Sequence, residues 1–202
     1  MIQDALSLSK LCTRTTLTWY ICNVPDKPNT LLKSPLIEGR LVGDMNAALG
    51  LDGILRWSYS AWTKNPRKDI RYKTQGFPSG DFSLVYPSKI GTIEESLRIK
   101  QFQIGVMDFE LLHRLQDKIS AEEFKALFET IKLNPDYSSY MQDHHNTKSG
   151  LYSTEYIDYA ELRTKVVERG KNVNGPDKNC PVLPNAYGCH LNSRIIRSFI
   201  SV

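Results

Sequence analysis

Residues 16–59 read as a strand, a helix and a second strand in immediate succession, and that order constrains the fold more than any other feature of the chain. Thr16-Leu17-Thr18-Trp19-Tyr20-Ile21-Cys22-Asn23-Val24 is rich in β-branched and aromatic residues and is stopped by Pro25 and Pro28. Its apolarity is continuous instead of alternating, the pattern of a strand covered on both faces, as in a parallel sheet. Ser34 and Pro35 mark a helix start, and Leu36, Arg40, Gly43 and Ala47 recur at helical spacing until Gly50. Asp52-Gly53-Ile54-Leu55-Arg56-Trp57-Ser58-Tyr59 is extended again. A helix between two strands returns the chain to its starting side, so the strands are expected to run parallel as a βαβ unit.

Around this unit, 202 residues leave room for one domain, or one with an appendage. A hydrophobic content of 41% with 24% charged residues gives a chain that can bury a core and fold. The 26 basic and 22 acidic residues are interspersed, with no block of five like charges, so nucleic acid is not an expected partner. No apolar run approaches the ~20 residues of a membrane span, and Met1-Ile2-Gln3-Asp4-Ala5 begins no signal peptide, so as written the chain is expected to be cytoplasmic. Cys12, Cys22, Cys180 and Cys189 lack zinc or redox spacing and read as free thiols, and adjacent His144 and His145 read as loop. No metal or other cofactor is expected. Neither glycine-rich nucleotide-binding pattern occurs.

A long polar excursion runs from Trp62 to Pro87, and loops of that length inside compact domains usually carry function. A helix is expected from Thr92 to Gln116, with Leu97, Phe102, Ile104, Val106, Phe109 and Leu111 on its apolar face. Glu94, Arg98, Gln101, Gly105 and Asp108 form a second stripe on that helix, which reads as solvated surface. Ser120 and Glu123 make a capping box for a helix ended by Pro135, and a last helix spans Thr154 to Glu168, stopped by Gly170. Residues 119–170 thus read as a helical appendage, and 171–202 as an irregular tail.

Binding groups of parallel βα structures gather at the carboxyl ends of the strands. Trp19, Tyr20 and Asn23, then Trp57, Tyr59 and Trp62, fall at or near that end, beside the polar loop that holds Asp69, Arg71 and Asp81. Aromatic rings among hydrogen-bonding groups suit a sugar, whose C–H face stacks while its hydroxyls bond to polar side chains. The same aromatics would equally well fill a sheet core. Asp52 stands at the amino end of its strand and is not expected to be catalytic.

Leu51-Asp52-Gly53-Ile54-Leu55-Arg56-Trp57-Ser58-Tyr59, Trp62, Pro78-Ser79-Gly80-Asp81, Val85-Tyr86-Pro87, then Ser96, Arg98, Gly105, Asp108 and Glu110 together resemble the C-terminal half of the glycoside hydrolase family 123-like catalytic domain. The resemblance implies an α/β fold: a partial (β/α)8 TIM-type barrel, its last βα units within residues 1–118, followed by the C-terminal helices. It implies terminal N-acetylgalactosamine as substrate, with the sugar's own 2-acetamido group as nucleophile, and an adjacent Asp-Glu pair in which one acid orients the acetamide and the other protonates the leaving oxygen.

The chain contains no Asp-Glu dipeptide. It also has too few strands for a barrel, which takes about 250 residues. The expectation is therefore a substrate-binding wall built from Trp19, Tyr20, Trp57, Tyr59, Trp62, Asp81 and Tyr86, with no catalytic residue of its own. The chain is expected to be a C-terminal fragment, with carbohydrate as its partner and a missing N-terminal barrel half or self-association to complete it. The alternative is a non-catalytic carbohydrate-binding or interaction module.

Overall fold

The structure is a computed structural model that describes residues 16–56, 58–72, 76–81, 83–135, 137–140 and 149–174. Strands β1 (Thr18–Tyr20) and β2 (Gly53–Leu55) pair in parallel, Thr18 against Gly53, Trp19 against Ile54 and Tyr20 against Leu55, and helix α1 (Ile37–Leu49) joins them. This is the expected βαβ unit, with shorter strands. After Ile21, whose N–H still reaches the Leu55 carbonyl at 3.2 Å, the Cys22 N–H turns to Val24 in its own chain. Asp52 fastens the entry ends of both strands: its carboxylate accepts the Leu17 N–H at 2.7 Å, and its own N–H donates to the Leu17 carbonyl at 2.8 Å.

Side chains alternate along a strand, so register fixes what each face carries. Trp19 and Ile54 lie together in the core, whereas Thr18 and Tyr20 are exposed and Leu55 is half-buried on the opposite face. Helix α1 is enclosed nearly all round, with only Ala48 of its thirteen residues outside the buried set. It starts at Ile37 without a side-chain cap, two residues later than Pro35 suggested, and ends at Gly50, whose N–H bonds the Ala47 carbonyl.

Strands β3 (Val85–Pro87) and β4 (Ile93–Glu95) form an antiparallel hairpin, so the expected helix start at Thr92 is corrected. Helix α2 (Leu97–Gln116) begins only after Ser96, whose hydroxyl caps it by accepting the Ile99 N–H. Acids at Glu94 and Glu95 suit a helix N-terminus, but pairing of this segment with Val85–Pro87 decides its conformation. The capping box of Ser120 and Glu123 is present at helix α3 (Ala121–Leu127), which continues as a 3₁₀ turn over Phe128–Ile131. A second 3₁₀ turn covers Tyr137–Tyr140, and helix α4 (Tyr156–Asn174) runs through Gly170, since one glycine weakens a helix by only about 1 kcal/mol. Phe128, Ile131, Tyr140, Tyr159, Leu162 and Val166 join the same core cluster as Trp19, Ile54 and α1.

The stripe on α2 read as solvated surface is the helix's inner seam. Arg98, Gly105 and Asp108 are buried, Gln101 is half-buried, and only Glu94, in β4, is exposed. The cause is close approach: a Cβ built on Gly43 of α1 would stand 1.9 Å from the Gly105 carbonyl oxygen, and one on Gly105 would stand 2.4 Å from that of Arg40. Backbones this close bring charged side chains across the seam. Asp108 accepts Arg40 Nε of α1 at 2.6 Å and Arg163 Nε of α4 at 2.5 Å. Arg40 also donates to the Tyr159 carbonyl at 2.9 Å and lies over the Tyr159 ring. Asp44, one turn along α1 from Arg40, is wholly buried with neither carboxylate oxygen hydrogen-bonded, and burial, then the Asp108 charge, raises its pKa well above the ordinary 3.8.

Two outcomes follow from this seam. Gly43→Ala and Gly105→Ala each drive a methyl into main-chain atoms, so each is expected to lower unfolding free energy by about 1–3 kcal/mol or more in urea melts. An acid whose folded pKa is raised supports stability fully below its unfolded value and loses that support as pH rises through the folded value. Asp44→Asn should therefore flatten the decline in stability between acidic and mildly alkaline pH; equal pH slopes in variant and parent would show that Asp44 does not titrate there.

Candidate functional site

The carboxyl ends of β1 and β2 open into the loop after Ile21 and the long loop after Tyr59, and a buried polar network ties these together. Arg56 directly follows β2. Its Nη2 donates to Asp81 Oδ1 at 2.6 Å and to the Asp81 carbonyl at 2.9 Å, and its Nη1 lies 3.4 Å from Asn29 Oδ1. Asp81 has no exposed surface, and its other oxygen lies 3.8 Å from the Cys22 sulfur, which donates. Burial pushes the Arg56 pKa down, and the Asp81 carboxylate pushes it back up.

Asn29 shapes the loop after β1. Its side-chain amide donates to the carbonyls of Cys22 at 2.8 Å and Pro25 at 2.7 Å, while its Oδ1 accepts the Thr30 N–H at 2.7 Å. The Asn29 main-chain N–H donates to Glu38 Oε2 at 2.6 Å, and the Tyr152 hydroxyl donates to Glu38 Oε1. Burial raises the Glu38 pKa, and the bonds from Tyr152 and Asn29 oppose that rise. A chain of contacts thus runs from the segment before α4, through the start of α1, to the Arg56–Asp81 pair.

Arg98, on the first turn of α2, is a second hub. It donates to the carbonyls of Thr30 at 2.7 Å, Gly80 at 2.6 Å and Ser83, which joins both loops to the helix. Gly80 has a φ of +85°, and a Cβ there would meet Arg98 Nη1 at 2.7 Å, so both backbone conformation and space require glycine in Pro78-Ser79-Gly80-Asp81.

The expected contact residues divide by placement. Tyr20 is 46% exposed on the open face of the sheet, and burial, then the neighbouring Cys22 thiol, raises its pKa. Trp19 is 5% exposed and packed in the core, with its indole N–H unpartnered. Tyr59 and Trp62 are half-buried against the core, and Trp62 Nε1 donates to the Val85 carbonyl at 2.8 Å. Tyr86 is half-buried and lies in the field of Arg98. Asp81 is enclosed by its ion pair, and Trp57 lies outside the described residues, as do Cys12, Cys180, Cys189, His144 and His145. Tyr20, Tyr59, Trp62 and Tyr86 therefore retain accessible ring surface. Asp69 is held by Arg71 at 2.8 Å in a surface pair. Among the described residues, no group of three His, Cys, Asp or Glu side chains could hold a metal ion, and no helix is long and apolar enough to cross a membrane.

Sequence reasoning gave Arg56, Asn29 and Glu38 no role at the site and read Arg98 as solvated surface. The available signal was charge out of place: Arg56 interrupts the apolar run Ile54-Leu55-Arg56, and Arg98 lies one helical face with Gly105. Removing one partner of a buried pair strands the other charge, at about 3–5 kcal/mol. Arg56→Met and Asp81→Leu singly should each cost that much in denaturant melts, and the double variant should recover most of the loss.

The chain matches the family model described as glycoside hydrolase 123, catalytic domain, over residues 3–115. No curated protein sequence matches it. Its fold is similar to that of a solved family 123 glycoside hydrolase from Clostridium perfringens, studied for glycolipid glycan hydrolysis, with a TM-score of 0.54 and 20% identity over 86% of this chain. That alignment spans 29% of the Clostridium protein's length. With more than half of its residues inside the family model, the chain belongs to glycoside hydrolase family 123.

Proposed function

We propose that the chain supplies a substrate-binding wall for glycans bearing N-acetylhexosamine, most specifically terminal N-acetylgalactosamine, and that it holds no catalytic pair. Family membership supports the glycan, and one observation about the chain's own acids carries the second half. A general acid must be protonated near working pH and must reach the leaving oxygen, so it needs a raised pKa at an accessible site.

Among the described residues, two sets of acids bear on this: those with a raised pKa and those standing in adjacent pairs. Glu38 and Asp44 have raised pKa values, but both are buried. The adjacent exposed acids Glu94 and Glu95 are shifted down, Glu94 by its bond from Arg67 and Glu95 by those from Lys100 and Gln103. Glu123, of the second adjacent pair, is engaged in the capping box. The missing Asp-Glu dipeptide agrees with this distribution. Within the reading, β1 and β2 are the last two strands of a (β/α)8 barrel and Tyr20 faces its interior. Tyr59, Trp62 and Tyr86 line the rim, held in place by the Arg56–Asp81 and Arg98 hubs.

The isolated chain is expected to leave a chromogenic N-acetylgalactosaminide intact. It should bind free N-acetylgalactosamine in the millimolar range, about −4 kcal/mol, with amide shifts at Tyr20, Asn23 and Tyr59 that Tyr20→Ala weakens several-fold. Turnover that disappears on replacing an acid of this chain would overturn the catalytic half of the proposal. Absence of any sugar-dependent shift would overturn the binding half.

A further inference from the structure

Beside the rim, a cleft of about 240 Å³ is lined by Lys64, Asn65, Pro66, Arg67 and Lys68 on one wall and by Pro87, Ser88 and Lys89 on the other. Four cations converge there. The carboxylate bonded to a lining residue is Glu94, which pairs with Arg67 and lies in the field of Lys89, so these side chains carry a net charge of +3. Lys64, Lys68 and Lys89 make no salt bridge among the described residues, whereas Lys33, Lys100, Lys132 and Lys165 each do. Like charges held around a concavity raise one another's potential and attract an anion.

The walls are fixed. Arg67 Nε donates to the Pro87 carbonyl at 3.0 Å, and the Asn65 carbonyl accepts the N–H groups of Lys68 and Asp69, each at 3.0 Å. One wall begins two residues after Trp62 and the other directly after Tyr86, and the Trp62 indole bond to the Val85 carbonyl holds their bases together.

We propose that this cleft is a subsite for an oxyanion borne on a glycan, a sulfate ester or a carboxylate, held by Lys64, Lys68 and Lys89 as point charges while Arg67 keeps the walls together. This makes acidic glycans the preferred ligands. It rests on the wall's being a glycan site, whereas recognition of the charge does not.

The test titrates the full chain, at low and at physiological salt, with N-acetylgalactosamine 6-sulfate, a sialylated trisaccharide, neutral N-acetylgalactosamine, inorganic sulfate and a short DNA duplex, following amide shifts. At least one acidic sugar is expected to bind about tenfold more tightly than the neutral one, with shifts at residues 64–68 and 87–89. The Lys64→Gln/Lys89→Gln variant should lose that preference and keep its affinity for the neutral sugar. Whichever acidic sugar is favoured identifies sulfate or carboxylate as the group. Equal affinity for charged and neutral sugars overturns the subsite and leaves the wall standing. Inorganic sulfate binding without any sugar binding overturns the wall and reduces the cleft to a bare ion site. A DNA duplex that matches the acidic sugars overturns the proposal in favour of non-specific charge attraction.

Discussion

Where Gly43 meets Gly105, two helix backbones touch without intervening side chains, and the interior polar contacts depend on that approach. A side chain at either position would push α2 away from α1. Arg40 could then no longer reach Asp108, nor could Arg98 reach the Thr30 carbonyl in the loop that precedes α1. Both bonds are between 2.6 and 2.7 Å, so even a small separation would leave a buried guanidinium or carboxylate without its partner. The cost of an unpaired buried charge exceeds that of most packing defects, so the glycines and the charges must be retained together.

The same coupling reaches the candidate site. Glu38 lies five residues before Gly43 along α1 and accepts bonds from Asn29 and Tyr152. Asn29 in turn sets the path of the loop after β1 and faces Arg56. The loops around the candidate site are therefore tied to α1 through Glu38, to α2 through Arg98, and to Tyr152 through Glu38. Loops that present rings to a ligand have to be fixed to fractions of an ångström, and side chains locked by buried hydrogen bonds provide this better than solvated ones.

The parallel βαβ order was legible because continuous apolarity in Thr16–Val24 and the helical spacing after Pro35 point to the same arrangement. The capping box at Ser120 was legible for a similar reason: it is a local exchange of two hydrogen bonds, complete within four residues. The α2 stripe was misread because a charge looks alike in sequence whether it meets water or a fixed partner 68 residues away. Gly105 in that stripe was the clue, since a glycine on a truly solvated face weakens the helix with no return. At the site, alternation along β1 separates Trp19 from Tyr20, and the run of apolar residues could not reveal which faced the core. The strand Ile93–Glu95 was hidden because its pairing with Val85–Pro87 overrides the local preference of two glutamates.

Charge balance connects the interior to the rim. Among the described residues, the interior holds four carboxylic acids, Glu38, Asp44, Asp81 and Asp108, and three guanidinium groups, those of Arg40, Arg56 and Arg98. Burial raises the pKa of both Asp44 and Glu38 within that set. Arg98 spends its donors chiefly on carbonyls, and Asp81 and Asp108 are each matched by an arginine. Carboxylates drawn inward to meet buried arginines are unavailable to the surface. Lysine, with its strongly hydrated head, is the cation that remains in solvent.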